Sequence, residues 1–144
     1  MVNICLTIGT SAPPAQVMRA LNTIEGLSEW WTLHTSGSPD IGGTIKFRFP
    51  DMGPDMRVEE SSDDRVIWEC TAGPDEWIGT HISFHVFEDN RQTHVMFKHA
   101  GWAEEVPFFH HCSTKWAVFL LSLRNYLETG EGQPFPGDIQ INLD

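Results

Sequence analysis

Residues 97–116, FKHAGWAEEVPFFHHCSTKW, gather His99, His110, His111, Cys112 and the pair Glu104-Glu105, with Trp102 and Trp116 among them. Metal binding, nucleophilic catalysis and proton transfer are the chemistries such a set offers. Spacing argues against the first. His110, His111 and Cys112 are consecutive in a helical stretch, where successive side chains diverge by about 100°, and the i, i+4 pairing of helical zinc ligands is missing. His81 and His85 share a strand face, but four residues along a strand span about 13 Å, too far to chelate one ion alone. No metal and no cofactor is expected. Cys112 has histidines only as sequence neighbours, which point elsewhere on a helix, and no GxSxG, GxxxxGK[ST] or GxGxxG occurs. It reads as a small helix residue packed against the core.

His99 is the candidate that survives. Alternation along the strand from Thr93 to His99 sets it inward with Val95 and Phe97, next to the Gly101-Trp102 turn. A ring there needs a polar partner. One role is a hydrogen bond to a ligand, or acid–base work near neutral pH; the other is to tie strand to helix. Glu104 and Glu105 read as first-turn acids that complement a helix dipole.

These side chains need elements to hold them. Residues 2–8 alternate as a strand, and a Pro13-Pro14 pair then opens a short helix capped at Ser11 or Ala12. A second short helix runs from Thr23 to about Trp30. Strands are expected at 44–49, 56–60, 65–71, 77–87 and 93–99, the longest with Ile78, Ile82, Phe84 and Val86 on one face. From about Glu104 to Glu128 the pattern is helical, with Phe109, Cys112 or Ser113, Trp116, Leu120, Leu123 and Leu127 as the buried stripe and Gly130 as the stop. The Gly/Pro-rich tail from about 130 is assigned no structure. Antiparallel strands interrupted by two short helices and closed by a long one make an α+β layout. A curved sheet gripping one helix leaves room for an apolar pocket between them.

Composition narrows the partners. At 144 residues one domain is expected. Nine basic against twenty acidic residues give a formal charge of −11, which argues against nucleic acid. The start of the chain lacks a secretory pattern and no apolar run is long enough to span a bilayer, so the expectation is a cytoplasmic protein. Three dispersed cysteines read as reduced thiols.

The phrases APPAQVMRALNTIEGLSEWW, IGGTIKFRF, VIWECTAGPDEWIGTHISFHV, THVMFKHAGW and CSTKWAVFLLSLRNYLETGEGQPFP, in this order, resemble the START-like superfamily. Within it they resemble the branch related to the C-terminal domain of activators of the Hsp90 ATPase. The resemblance implies a helix-grip fold over residues 1–144, with a curved sheet of six to seven strands wrapped on the C-terminal helix. It also implies a cavity that in relatives holds lipids, hormones or polyketides and in some supports cyclisation, hydration or dehydration. In that layout Phe47, Trp68, Trp77, Phe84, Phe97, His99, Trp102, Cys112 and Trp116 form the expected ligand-contact set. Binding of a small, mostly apolar or aromatic molecule is the leading expectation. A cyclase, dehydratase or hydrolase using His99 is the second, and a protein-binding module acting on a chaperone the third. Exposed sheet edges add a homodimer to the expectations.

Overall fold

The computed structural model describes residues 1–50 and 52–142. Seven strands form one antiparallel sheet: β1 (Val2–Thr10), β2 (Thr35–Gly37), β3 (Thr44–Phe47), β4 (Asp55–Ser61), β5 (Arg65–Ala72), β6 (His81–Glu88) and β7 (Thr93–Trp102). Their spatial order is β1-β7-β6-β5-β4-β3-β2, so β1 and β2 are the edges. Helices α1 (Pro14–Asn22) and α2 (Ile24–Trp30) follow β1, and α3 (Pro107–Thr129) closes the layout. This is the expected α+β helix-grip architecture.

The strands form where polar and apolar residues alternate. Ile82, Phe84 and Val86 of β6 are buried, and Val95, Phe97 and His99 of β7 beside them are too, because a period of two sends every other side chain to the helix side. His81, Ser83 and His85 take the outer face. Helix α3 buries Phe109, Cys112, Trp116, Leu120, Leu123 and Leu127, the expected stripe with Cys112, not Ser113, at the position the sequence left open. It ends at Gly130, whose φ of 85° permits the left-handed turn that brings its N–H to the Tyr126 carbonyl at 2.9 Å.

Several boundaries differ from the sequence expectation, each for a local reason. The first helix starts at Pro14, not at a Ser11 or Ala12 cap, because Pro13 precedes another proline and is held extended, at ψ 153°. Residues 77–80 form a turn and not the start of β6: Thr80 N bonds to the Trp77 carbonyl at 2.9 Å and Gly79 has φ 85°, which leaves Ile78 exposed. Helix α3 begins at Pro107, so Glu104 and Glu105 lie before its first turn and do not complement its dipole there. The short edge strand β2 was not expected.

Strand β7 runs on to Trp102 through a bulge. Ile4 pairs with His99 and Val2 with Trp102, so β7 carries one extra residue across that step. Gly101, at φ 92°, takes the strained position, and its N–H bonds to Asn3 Oδ1 at 3.1 Å. The added residue reverses the alternation, so His99 and Trp102 both face the core.

Helices α1 and α2 pack closely because Gly26 has no side chain. A Cβ there would lie 2.5 Å from the Arg19 carbonyl oxygen and 2.7 Å from Ala20 Cα. The Thr23 hydroxyl caps α2 by accepting from Gly26 N at 3.0 Å. This junction delivers Trp30 and Trp31 side by side to the interior, where Trp30 donates its indole N–H to the Ala20 carbonyl at 2.9 Å.

Candidate functional site: an aromatic cleft on the long helix

A cleft of about 550 Å³ lies along α3. Its floor is a stripe of that helix that overlaps the core stripe at Cys112 and Trp116: with Phe108, Lys115 and Phe119 these recur at steps of three and four and so share a side. Trp31 comes from the end of α2, Phe49 from just beyond β3, and Trp77 from the turn before β6. The loops at residues 52–54 and 73–74 add to the wall, and the tail contributes Phe135, Asp138 and Gln140.

The tail is held by specific bonds. Phe135 exchanges backbone hydrogen bonds with the segment after α2, donating to the Trp31 carbonyl at 2.8 Å and accepting from Leu33 N at 3.1 Å. The Ser122 hydroxyl donates to the Trp30 carbonyl at 2.9 Å and accepts from Gln133 N at 2.7 Å. Lys115 Nζ forms an ion pair with Asp138 and donates to the Ile139 carbonyl at 2.7 Å. The Asp138 side chain is 2 % exposed, so this charge is compensated by its partner and not by water. The same ammonium stands 5.4 Å above the centre of the Phe119 ring.

Of the nine expected contact residues, Trp77, Cys112 and Trp116 line the cleft. The others lie in the packed layers around it. Phe47 and Trp68 back Trp31, with ring centroids 4.2 and 6.2 Å away. Phe84 sits behind Trp68 at 5.5 Å, and Phe97 packs 4.5 Å from Trp116. Trp102 fills the space between His99, at 5.0 Å, and Phe109, at 5.2 Å.

His99 is fully buried and both its nitrogens are engaged. The Trp116 indole donates to Nδ1 at 3.1 Å, and Nε2 lies 2.8 Å from the Thr80 hydroxyl, which itself donates to the Trp77 carbonyl at 2.5 Å. An indole nitrogen only donates and the Thr80 proton is committed, so the ring is the neutral tautomer with its proton on Nε2. Burial pushes its pKa from 6.5 down to about 3. The ring thereby links strand β7, the turn before β6 and helix α3, and it is not part of the cleft lining.

Cys112 is similarly quiet. Burial pushes its thiol up to about 12, against a smaller lowering by the neighbouring Trp77 indole, whose geometry falls short of a full hydrogen bond. A group that keeps its proton is a poor nucleophile.

The sequence reading passed over Trp31, Phe49, Phe108, Lys115, Phe119, Phe135 and Asp138. The helical members were legible as a stripe adjoining the core stripe. The tail members carried no periodic signal. On the outer face of the sheet, Glu59, Glu69 and His81 bring ligand-type atoms within 4.8 Å of one another, aided by a bulge in β4 between Val58 and Glu60. Arg57 pairs with both carboxylates, at 3.3 Å for Glu59, so the group reads as an ion-pair network. Among the described residues no helix is long and apolar enough to cross a membrane.

The chain is similar to a protein from Colwellia psychrerythraea whose solution structure is that of an Aha1 dimer: 47 % identity over 92 % of this chain and 100 % of that one, with a TM-score of 0.83. The chain belongs to the Aha1-like branch of the START-like superfamily. Two other solved structures share the fold of this Aha1-like chain at low identity. CalU16 from Micromonospora echinospora gives a TM-score of 0.81 at 15 % identity, over 99 % of this chain and 75 % of that one. Protein SSP2350 from Staphylococcus saprophyticus gives 0.75 at 19 %, over 91 % and 95 %. No protein-family model and no curated protein matches the chain.

Proposed function

We propose that this Aha1-like protein, acting in the cytoplasm, binds a small, largely apolar molecule with aromatic character in the cleft along α3. The observation that carries the reading is the cleft itself: about 550 Å³, with seven phenylalanine and tryptophan rings (Trp31, Phe49, Trp77, Phe108, Trp116, Phe119, Phe135) and few polar groups on its walls. Such a size and lining are typical of small-ligand sites. A thermal-shift screen against fatty acids, flavonoids, phenols and polyketide-like compounds tests it. A ligand at a hundred times its Kd adds about 2.7 kcal/mol, which raises Tm by roughly 5–12 °C in a domain of this size. A flat screen, together with cleft tryptophan resonances that no compound perturbs, removes the reading.

The enzyme reading has less support. His99 spends both nitrogens inside the core and stays neutral, so acid–base work in the cleft would need a different residue. Kinship favours a chaperone partner as the alternative to a small molecule.

A homodimer is the second reading, favoured by a specific observation. The two edges of the sheet differ: β2 is three residues long, a length that discourages further pairing, whereas β1 has nine residues and no charged side chain, in a protein of charge −11. The relative described as a dimer adds weight. Light scattering behind size exclusion is expected to give twice the 16.3 kDa chain mass, and Leu6→Lys, at a half-buried β1 position, to return the monomer. A monomeric wild-type protein at high micromolar concentration rules this out.

A further inference from the structure

We propose that the guest of the cleft carries a hydroxyl group, a phenol or an alcohol, and that the Lys115–Asp138 pair receives it. This rests on the cleft being a small-molecule site and names the chemical class it selects.

The cleft is mainly apolar; among its lining residues the polar side chains are His111, Gln140 and Asn142, and the charged pair formed where Lys115 of α3 meets Asp138 of the tail. Neither member of that pair is fully satisfied among the described residues. An ammonium has three N–H donors. Two of them have acceptors here, the Asp138 carboxylate and the Ile139 carbonyl. On the other side, Asp138 Oδ1 is buried and has no hydrogen-bond partner. An unpaired carboxylate oxygen in a nearly dry site is costly. One spare donor and one orphaned acceptor therefore sit on two side chains already in contact.

A hydroxyl is the smallest group that answers both. Its oxygen accepts from Lys115 and its proton goes to Asp138 Oδ1. Other polar groups fit less well. A guest carboxylate approaches Lys115 only against the Asp138 charge, and a guest ammonium has the reverse problem. An ether has no proton for Oδ1. Oδ1 is buried, so a guest reaches it only if the tail moves: residues 139–142 stand in no strand or helix, and their shift gives up the Lys115 bond to the Ile139 carbonyl but no bond within the sheet. The cleft has a second orphaned polar atom, the buried Trp77 Nε1, which can donate to an oxygen elsewhere on the same guest.

The test is a matched series, naphthalene, naphthol, methoxynaphthalene and naphthoate, titrated calorimetrically into the wild-type protein at pH 7. Hydrophobic transfer alone ranks the methyl ether above the naphthol, since it buries one more carbon. The expected order is the opposite, with naphthol roughly ten- to a hundredfold tighter than the ether, the range for hydrogen bonds to charged groups. Naphthoate is expected to bind more weakly than naphthol.

The comparison within the wild type needs no variant. Asp138→Asn then tests the assignment to this pair: its amide oxygen keeps facing Lys115 and its NH₂ replaces Oδ1, so the naphthol preference over the ether collapses. Lys115→Met weakens the same preference through the other partner. Equal binding of naphthol and its ether overturns the hydroxyl inference and leaves the cleft reading standing. A preference that persists in both folded variants also overturns it, and makes the pair a clamp for the tail only. Failure of all four compounds to bind up to their solubility takes the cleft reading down with it.

Discussion

Trp116→Ala is expected to lower stability by about 3–5 kcal/mol, the range for emptying a large aromatic site in a core. Trp116 is 2 % exposed and joins the core to the cleft. Its ring touches Trp31 at 4.8 Å, Phe97 at 4.5 Å and Trp77 at 6.0 Å, between centroids. Truncation also leaves the buried His99 Nδ1 without its donor, a further cost of about 1–3 kcal/mol where no water enters. Against a total stability of roughly 5–15 kcal/mol, the variant should be marginal at best. Trp116→Phe separates the two contributions. It keeps most of the packing and loses the N–H, so its cost is expected to be less than half that of alanine. Urea titrations of the three proteins read the difference directly, and an alanine variant within 1 kcal/mol of wild type would refute this account of the core.

Acidification is expected to destabilise the protein from about pH 6.5 downward, well before ordinary carboxylates protonate. The cause is His99, held neutral by burial, with a pKa of about 3 in the fold against 6.5 as the ordinary value. Because the folded value is the lower one, the unfolded chain takes up the proton first. The contribution is therefore complete above pH 6.5 and disappears as the pH falls toward 3. At 1.36 kcal/mol per pH unit the whole window is worth about 4–5 kcal/mol, of which roughly 2–3 is gone by pH 4.5.

His99→Gln is the control. Its amide can accept from Trp116 and donate to Thr80, but it does not titrate. The variant should be less stable at pH 7 through imperfect fit, yet show a flatter dependence between pH 6.5 and 4.5. Chemical denaturation at stepped pH measures both slopes. Parallel slopes for wild type and variant would mean that His99 is protonated in the fold, contrary to its closed hydrogen-bond circuit. Below about pH 4, Asp89 adds to the loss. Its carboxyl is held down to about 2, first by the hydrogen bond to His94 and then by the Arg91 and Gln92 backbone N–H groups.

The architecture was legible from the chain because its elements are locally consistent. TIKF, HISFHVFE and THVMFKH alternate with a period of two, and residues 107–129 carry an apolar stripe at helical spacing that ends on glycine. The errors fell where a single residue breaks the local rule. Gly79 interrupts what alternation alone would continue, so Ile78 is outside. The bulge at Ala100-Gly101 carries β7 on to Trp102, past the expected strand end at His99.

The candidate site was less legible. Aromatic residues on the inner face were all reasonable contacts for a guest, yet Phe47, Trp68, Phe84 and Phe97 contact one another and Trp31 or Trp116 instead. The residues that do face the cleft come from α3, from chain segments beyond strand ends, and from a tail with neither period.

The sequence by itself determined the class of fold, the order of its elements, and the set of side chains that must leave water. Periodicity reports the geometry of the local backbone, and local backbone geometry decides in from out. Only the tertiary structure divided that interior into core and cleft, turned His99 into a satisfied link and not a free base, and brought Asp138 onto Lys115. Those outcomes depend on sheet curvature and on contacts between residues far apart in the chain, and no pattern along a single element encodes them.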